Sequence, residues 1–226
     1  MSSTSHAEHA YVAHHFHSAE QQKEAGTLGM WLFLAQEVMF FGGLFCVYAV
    51  YRLLNPDAWL AGSASLSVFV GGVNTTVLLC SSFTMALGVY FAQTGDNRRL
   101  FQALVATLAL GLLFIAIKLQ FEYLPKYREG VFPGANWGPY GHHYGHLADV
   151  ANQGGLQMYF VLYYIMTGMH ALHMIIGFGI MVVLMVLARK NTFGPQRYMA
   201  VENFGLYWHF VDIVWVFLFP MFYLVR

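Results

Sequence analysis

The stretch Gly29-Met-Trp-Leu-Phe-Leu-Ala-Gln-Glu-Val-Met-Phe-Phe-Gly-Gly43 is almost wholly apolar, yet it carries Glu37 near its middle. From Thr27 to Tyr51 the chain is long enough to cross a bilayer, for which about 20 apolar residues suffice. Glu37 lies about 10 residues past Thr27, roughly 15 Å into a helix. That is close to the centre of a hydrocarbon layer about 30 Å thick. A carboxylate there is expensive unless it is protonated, paired or wetted. The stretch therefore predicts a membrane helix and marks Glu37 as a candidate functional group.

Composition agrees. Of 226 residues, 58% are hydrophobic and only 10% charged, against about 25% charged in soluble domains. This predicts an all-α integral membrane protein with little mass outside the bilayer. A formal net charge of zero gives no basis for a nucleic-acid partner. Cys46 and Cys80 fall inside apolar runs and read as small hydrophobes. Neither a Cys-x-x-Cys pair nor Cys/His ligand spacing is present, which weighs against a metal centre carried by the chain.

Five transmembrane helices are predicted, at about 27–54, 65–93, 100–122, 156–188 and 199–225. Residues 1–26 read as a polar tail containing His6, His9, His14, His15 and His17. Asn55-Pro56-Asp57 closes the first span as a turn, and Trp59 to Ser63 reads as a short loop. Gly71-Gly72 predicts close helix approach in the second span. Lys118 and Glu122 stand four apart, so they can meet on one face of the third. The long loop of about 124–155 holds His142, His143 and His146. Alternating strand segments of about ten residues are not found, and runs this long within a bilayer leave only helices.

Lys23, Arg98, Arg99, Arg189, Lys190 and Arg197 fall on the side of the N-terminus. Arg52, Lys126, Arg128 and Arg226 fall on the other. The excess predicts a cytoplasmic N-terminus, a C-terminus outside and the 124–155 loop outside.

Besides Glu37, Arg52 and Lys118, the charged or imidazole groups within spans are His170 and His173, Glu122, and the stripe Glu202, His209 and Asp212. His170 and His173 share a helix face, and without a third ligand nearby they read as structural hydrogen-bonding groups. Glu202, His209 and Asp212 lie within about 80° of arc at about 100° per residue and must face protein or water. These residues, with Glu122, are expected to form a structural polar network. His142-His143-x-x-His146 on a Gly-rich loop is a weak metal signal. The chain shows no Ser-His-Asp arrangement, phosphate loop or dinucleotide fingerprint. A proton-handling role and a support role in a larger complex both fit.

Four segments, met in order, resemble the haem–copper oxidase subunit III family, that is, cytochrome c oxidase subunit 3. They are Gly29 to Gly43, Leu119-Gln-Phe-Glu-Tyr123, Thr167-Gly-Met-His-Ala-Leu-His-Met-Ile-Ile-Gly177 and Tyr207-Trp-His-Phe-Val-Asp-Ile-Val-Trp215. The resemblance implies a non-catalytic helical subunit of a proton-pumping terminal oxidase. Such a subunit carries no haem or copper, packs beside subunits I and II, and holds phospholipid. It supports proton uptake and stability during turnover, and Glu37 matches the family's mid-membrane carboxyl on the proton-entry side. The longer family pattern has two further helices before the Glu-bearing one. This chain resembles the shorter five-helix bacterial form, expected in the inner membrane. The 124–155 loop has no counterpart in that pattern and would meet a periplasmic protein or another respiratory complex. A quinol oxidase subunit or an accessory chain of a nitric oxide reductase is the nearest alternative, and a stand-alone proton channel a more distant one.

Overall fold

Polar side chains cap the first turns of several helices. The computed structural model describes residues 18–128, 130–132 and 153–225. Ser18 caps α1 (Ala19–Leu54), its hydroxyl accepting from the Gln21 amide at 3.1 Å. The first helix therefore begins at Ala19, eight residues ahead of the expected Thr27. Asn55 ends α1 and also opens α2 (Pro56–Ala64), with Pro56 in the first turn. The expected loop at Trp59 to Ser63 is thus helical. Asn-Pro-Asp serves both as a stop and as an N-terminal start, because proline is pre-organised for a helix's first position.

Ser67 caps α3 (Val68–Thr94), and Gly95 ends it in the left-handed region at φ 80°. Asp96 then caps α4 (Asn97–Lys118) through the Arg99 amide at 3.0 Å. A π-helical turn at Leu119–Tyr123 carries α4 into α5 (Leu124–Arg128). The buried positions Phe114, Lys118, Glu122 and Lys126 recur every four residues. In an α-helix that spacing drifts by about 40° per step. The wider turn takes up the drift and keeps Lys118 and Glu122 facing inward. Two long helices follow, α6 (Gln153–Arg189) and α7 (Met199–Tyr223). At 37 residues, α6 is about 55 Å long and projects beyond the hydrocarbon layer. Among the described residues every regular element is helical, and five helical runs are long and apolar enough to cross a membrane.

Helices α3, α4, α6 and α7 form a ring, each packing on the next, and α1 lies outside against α6 and α7. Half of the apolar window of α7 is buried, against 11% of that of α1. Helix α1 buries a single stripe, Glu37, Phe41 and Tyr48, and exposes Trp31, Leu32, Met39 and Val50. Trp208 and Trp215 of α7 fill the ring at 0% and 1% exposure. Close approach depends on small residues at their edges. A Cβ on Gly177 would stand 2.8 Å from the Trp208 ring, and one on Gly62 would press into the Tyr159 ring. Of the Gly71-Gly72 pair, Gly71 alone makes such a contact, beneath Phe219 and Tyr223.

Gly62→Ala should therefore destabilise the protein, by about 1–3 kcal/mol for overpacking. Gly179→Ala, with nothing within 4 Å of the added methyl, should leave the thermal unfolding midpoint unchanged or raised. Equal midpoints for the two variants would contradict the packing described.

Candidate functional site

Glu37 meets His173 in the middle of the bundle. Its Oε2 lies 3.1 Å from His173 Nε2, and the two residues are 8% and 9% exposed. The other ring nitrogen of His173, Nδ1, lies 2.8 Å from the Met169 carbonyl. A carbonyl only accepts, so Nδ1 carries a hydrogen. The contact between Nε2 and Oε2 then holds one further proton, placed either on a neutral carboxyl or on an imidazolium facing a carboxylate. The pair is thus a two-position holder for a single proton. Tyr207 steadies it by donating to the His173 carbonyl at 2.7 Å, and the Phe41 ring lies 5.3 Å from the imidazole.

This pair faces a groove of about 450 Å³ between α1, α6 and α7. Met30, Phe33, Ile176 and Phe204 make its walls apolar, and Asn203 adds a polar group.

A second centre lies nearer the opposite end of the ring. Lys118, 4% exposed, donates to Glu122 in a buried ion pair. It also donates to Tyr163 Oη at 2.9 Å and Tyr223 Oη at 2.6 Å. Tyr163 passes a hydrogen to Glu122 Oε2 at 2.6 Å, and Tyr223 donates to the same carboxylate at 2.5 Å. All three ammonium hydrogens find acceptors. The Trp215 ring centroid lies 4.7 Å from Nζ and adds a cation–π contact. A charge pair closed in this way holds helices α4, α6 and α7 together.

The remaining candidates divide. His209 Nδ1 lies 2.7 Å from Ser82 Oγ, tying α7 to α3. The nearby bond from Trp208 Nε1 to Ser81 Oγ, 3.1 Å, does the same. His170 departs from the expected hydrogen-bonded network: although it is 1% exposed, its ring nitrogens have no hydrogen-bond partner in the protein. His170 is instead packed between Phe114 and Trp215, at 5.6 and 5.1 Å. Asp212, 3% exposed, lies beside the Ser82 hydroxyl. Glu202 is half-buried near the start of α7, away from the other two. Ser82 neighbours both His209 and Asp212, whereas Glu202 stands apart from them. His142, His143 and His146, and the tail histidines, lie outside the described residues. Among the described residues no group of three or more His, Cys, Asp or Glu is arranged to hold a metal ion. Tyr163, Tyr223, Tyr207 and Ser82, which complete these centres, were not among the sequence candidates. The four-residue spacing of Tyr159, Tyr163 and Thr167 ahead of His170 was the available signal.

Lys118→Met should cost about 3–5 kcal/mol, because it leaves the Glu122 charge buried and unpaired. Adding Glu122→Gln should recover much of that loss in a thermal-melt double-mutant cycle. Additive losses would show that the two residues do not act as a pair.

Comparison with known proteins agrees with this architecture. The sequence model of the family described as cytochrome c oxidase subunit III matches residues 5–148 and 154–225. A protein of Nocardia farcinica named probable cytochrome c oxidase subunit 3 is 32% identical over 200 residues, 88% of each chain. Cytochrome c oxidase subunit 3 of a Synechocystis species is 31% identical over 222 residues, 95% of this chain and 82% of the relative. The probable subunit 3 of Mycobacterium leprae is 31% identical over 201 residues, 88% of each chain. With five apolar helices, the four quoted motifs and a match over nearly its whole length, the chain belongs to the cytochrome c oxidase subunit III family, accessory subunits of the terminal oxidase.

Proposed function

We propose that the Glu37–His173 pair holds a proton near the uptake side of the oxidase and supports proton delivery to the catalytic subunit. The observation that carries this reading is the hydrogen count at the pair. Met169 fixes one hydrogen on His173, and one proton remains that either partner can hold. The chain lies beside subunits I and II, and the haem and copper of the reaction belong to those partners. Its own contribution is to support turnover, with no step of oxygen reduction on its side chains.

The groove facing the pair accommodates a phospholipid acyl chain, which keeps bulk water from the proton-holding group. Its apolar walls and its position between α1 and the ring support that assignment. The protein sits in the bacterial inner membrane with its N-terminus cytoplasmic and its C-terminus periplasmic. The concentration of Arg98, Arg99, Arg189, Lys190 and Arg197 at one end of the bundle supports this orientation. The segment that joins α5 to α6 meets a periplasmic partner or another respiratory complex.

Glu37→Gln separates packing from proton holding. The amide donates to His173 Nε2, so the contact persists while the shared proton is lost. The oxidase complex should assemble with its full subunit and haem content. Its proton uptake should slow several-fold, or its active lifetime during turnover should shorten. Glu37→Ala should be worse, because it adds a cavity to the lost hydrogen bond. Uptake and lifetime equal to wild type across pH, for the Gln variant, would leave Glu37 a packing residue and overturn the proposal.

A further inference from the structure

We propose that the outer seam between α3 and α7 is where a transmembrane helix of another oxidase subunit docks, held at mid-membrane by a hydrogen bond to His209. The site does not rest on the proton-holding reading of Glu37. His209 stands two residues from Tyr207, which borders the Glu37 groove, and so points about 200° of helical arc away from it. One of its nitrogens is used within the chain. Nδ1 lies 2.7 Å from Ser82 Oγ of α3, and the buried Asp212 carboxyl lies beside the same hydroxyl. The other nitrogen, Nε2, bonds to nothing among the described residues. It is not sealed inside the bundle either, because His209 is only half-buried. An imidazole nitrogen donates or accepts according to its tautomer, so Nε2 calls for a polar partner from outside the chain.

Depth decides which partner can reach it. His209 lies about 10 residues into α7, or about 15 Å from its start. The adjacent Phe210 ring packs on Phe41 at 6.1 Å, one turn of α1 past Glu37. Both measures put Nε2 near the middle of the membrane. A phospholipid headgroup lies about 15 Å away at the boundary, and an acyl chain would leave the nitrogen unpaired in hydrocarbon. The rim of the seam is apolar. Leu79 and Ala86 share the Ser82 face of α3, and Leu206 and Ile213 flank His209 on α7 at three and four residues. Leu79 and Ile213 are 52% and 54% exposed. Helices associate in membranes through small residues that allow close approach and through single polar side chains that bond across the contact. Ser82 and Ala86 supply the first and His209 the second. Because the chain belongs to a family of accessory oxidase subunits, the partner is a helix of another subunit with a hydroxyl, amide or carboxyl side chain near its middle.

The test uses the assembled oxidase in native membranes, with a photoreactive phenylalanine analogue in place of Leu79 or of Ile213. Both positions should crosslink to one transmembrane helix of another subunit. Crosslinks to lipid alone, or to a second copy of this chain, would overturn the proposal. Two substitutions separate the outward contact from the bond to Ser82. His209→Asn keeps an amide where Nδ1 stands and loses the outward group, whereas His209→Gln carries its amide out to the position of Nε2. In detergent titration of the purified complex, the Asn variant should release this subunit about threefold to 20-fold more readily than wild type, the worth of one interhelical hydrogen bond. The Gln variant should hold better than the Asn variant. A purely internal role for His209 gives the reverse order, and that order, or retention of the Asn variant equal to wild type, would overturn the proposal. The crosslinks decide the matter even if neither variant assembles.

Discussion

The hydrogen bond between Glu37 and His173 joins α1 to the four-helix ring in the middle of the membrane. An ionisable group at that depth must find its partner inside the protein, because the surrounding lipid offers none. Glu37 is the first buried residue of α1, with Phe41 and Tyr48 following at helical spacing, while Gly26 and Phe33 already meet α7 nearer the start of the helix. Helix α1 otherwise presents apolar side chains outward, and so its rotation about its own axis is set by where that carboxyl must point. The same requirement leaves the groove beside the pair, since α1 meets α6 and α7 along a line rather than a broad face.

The two buried acid–base pairs are built differently, and the difference separates structure from function. Glu122 accepts from Lys118, Tyr163 and Tyr223, and the lysine has no donor left over. That cluster is closed, and its protons have no free position to move to. The Glu37–His173 pair shares one proton across its contact and faces an open groove. The closed cluster sets the register of α4, α6 and α7, with the π-helical turn keeping both charges on one face. On the function proposed above, the open pair is the one that exchanges a proton with a neighbouring subunit.

The membrane helices were legible in the sequence because apolar runs above 20 residues in a bilayer have one solution. Helix ends were less so. Ser18 starts α1 ahead of the apolar run, since a cap and a polar first turn lie in the aqueous boundary where hydropathy carries no signal. Lys118 and Glu122 were legible as a local pair, because four-residue spacing is enough to see it. The Glu37–His173 contact spans 136 residues of sequence and depends on which faces of α1 and α6 meet, which periodicity alone does not determine. His170 shows the limit from the other direction. Its spacing from His173 is that of a hydrogen-bonding partner, yet the aromatic rings of Phe114 and Trp215 occupy its surroundings.

An accessory subunit of this kind acts through its effect on the core it joins. Its central property is therefore a difference between complexes with and without the chain. The most direct measurement is the rate of proton uptake in single-turnover experiments on the purified oxidase, before and after selective removal of this subunit. Slower uptake without it, restored on rebinding of the wild-type chain but not of the Glu37→Gln variant, is the result predicted. Identical uptake in all three preparations would contradict the account.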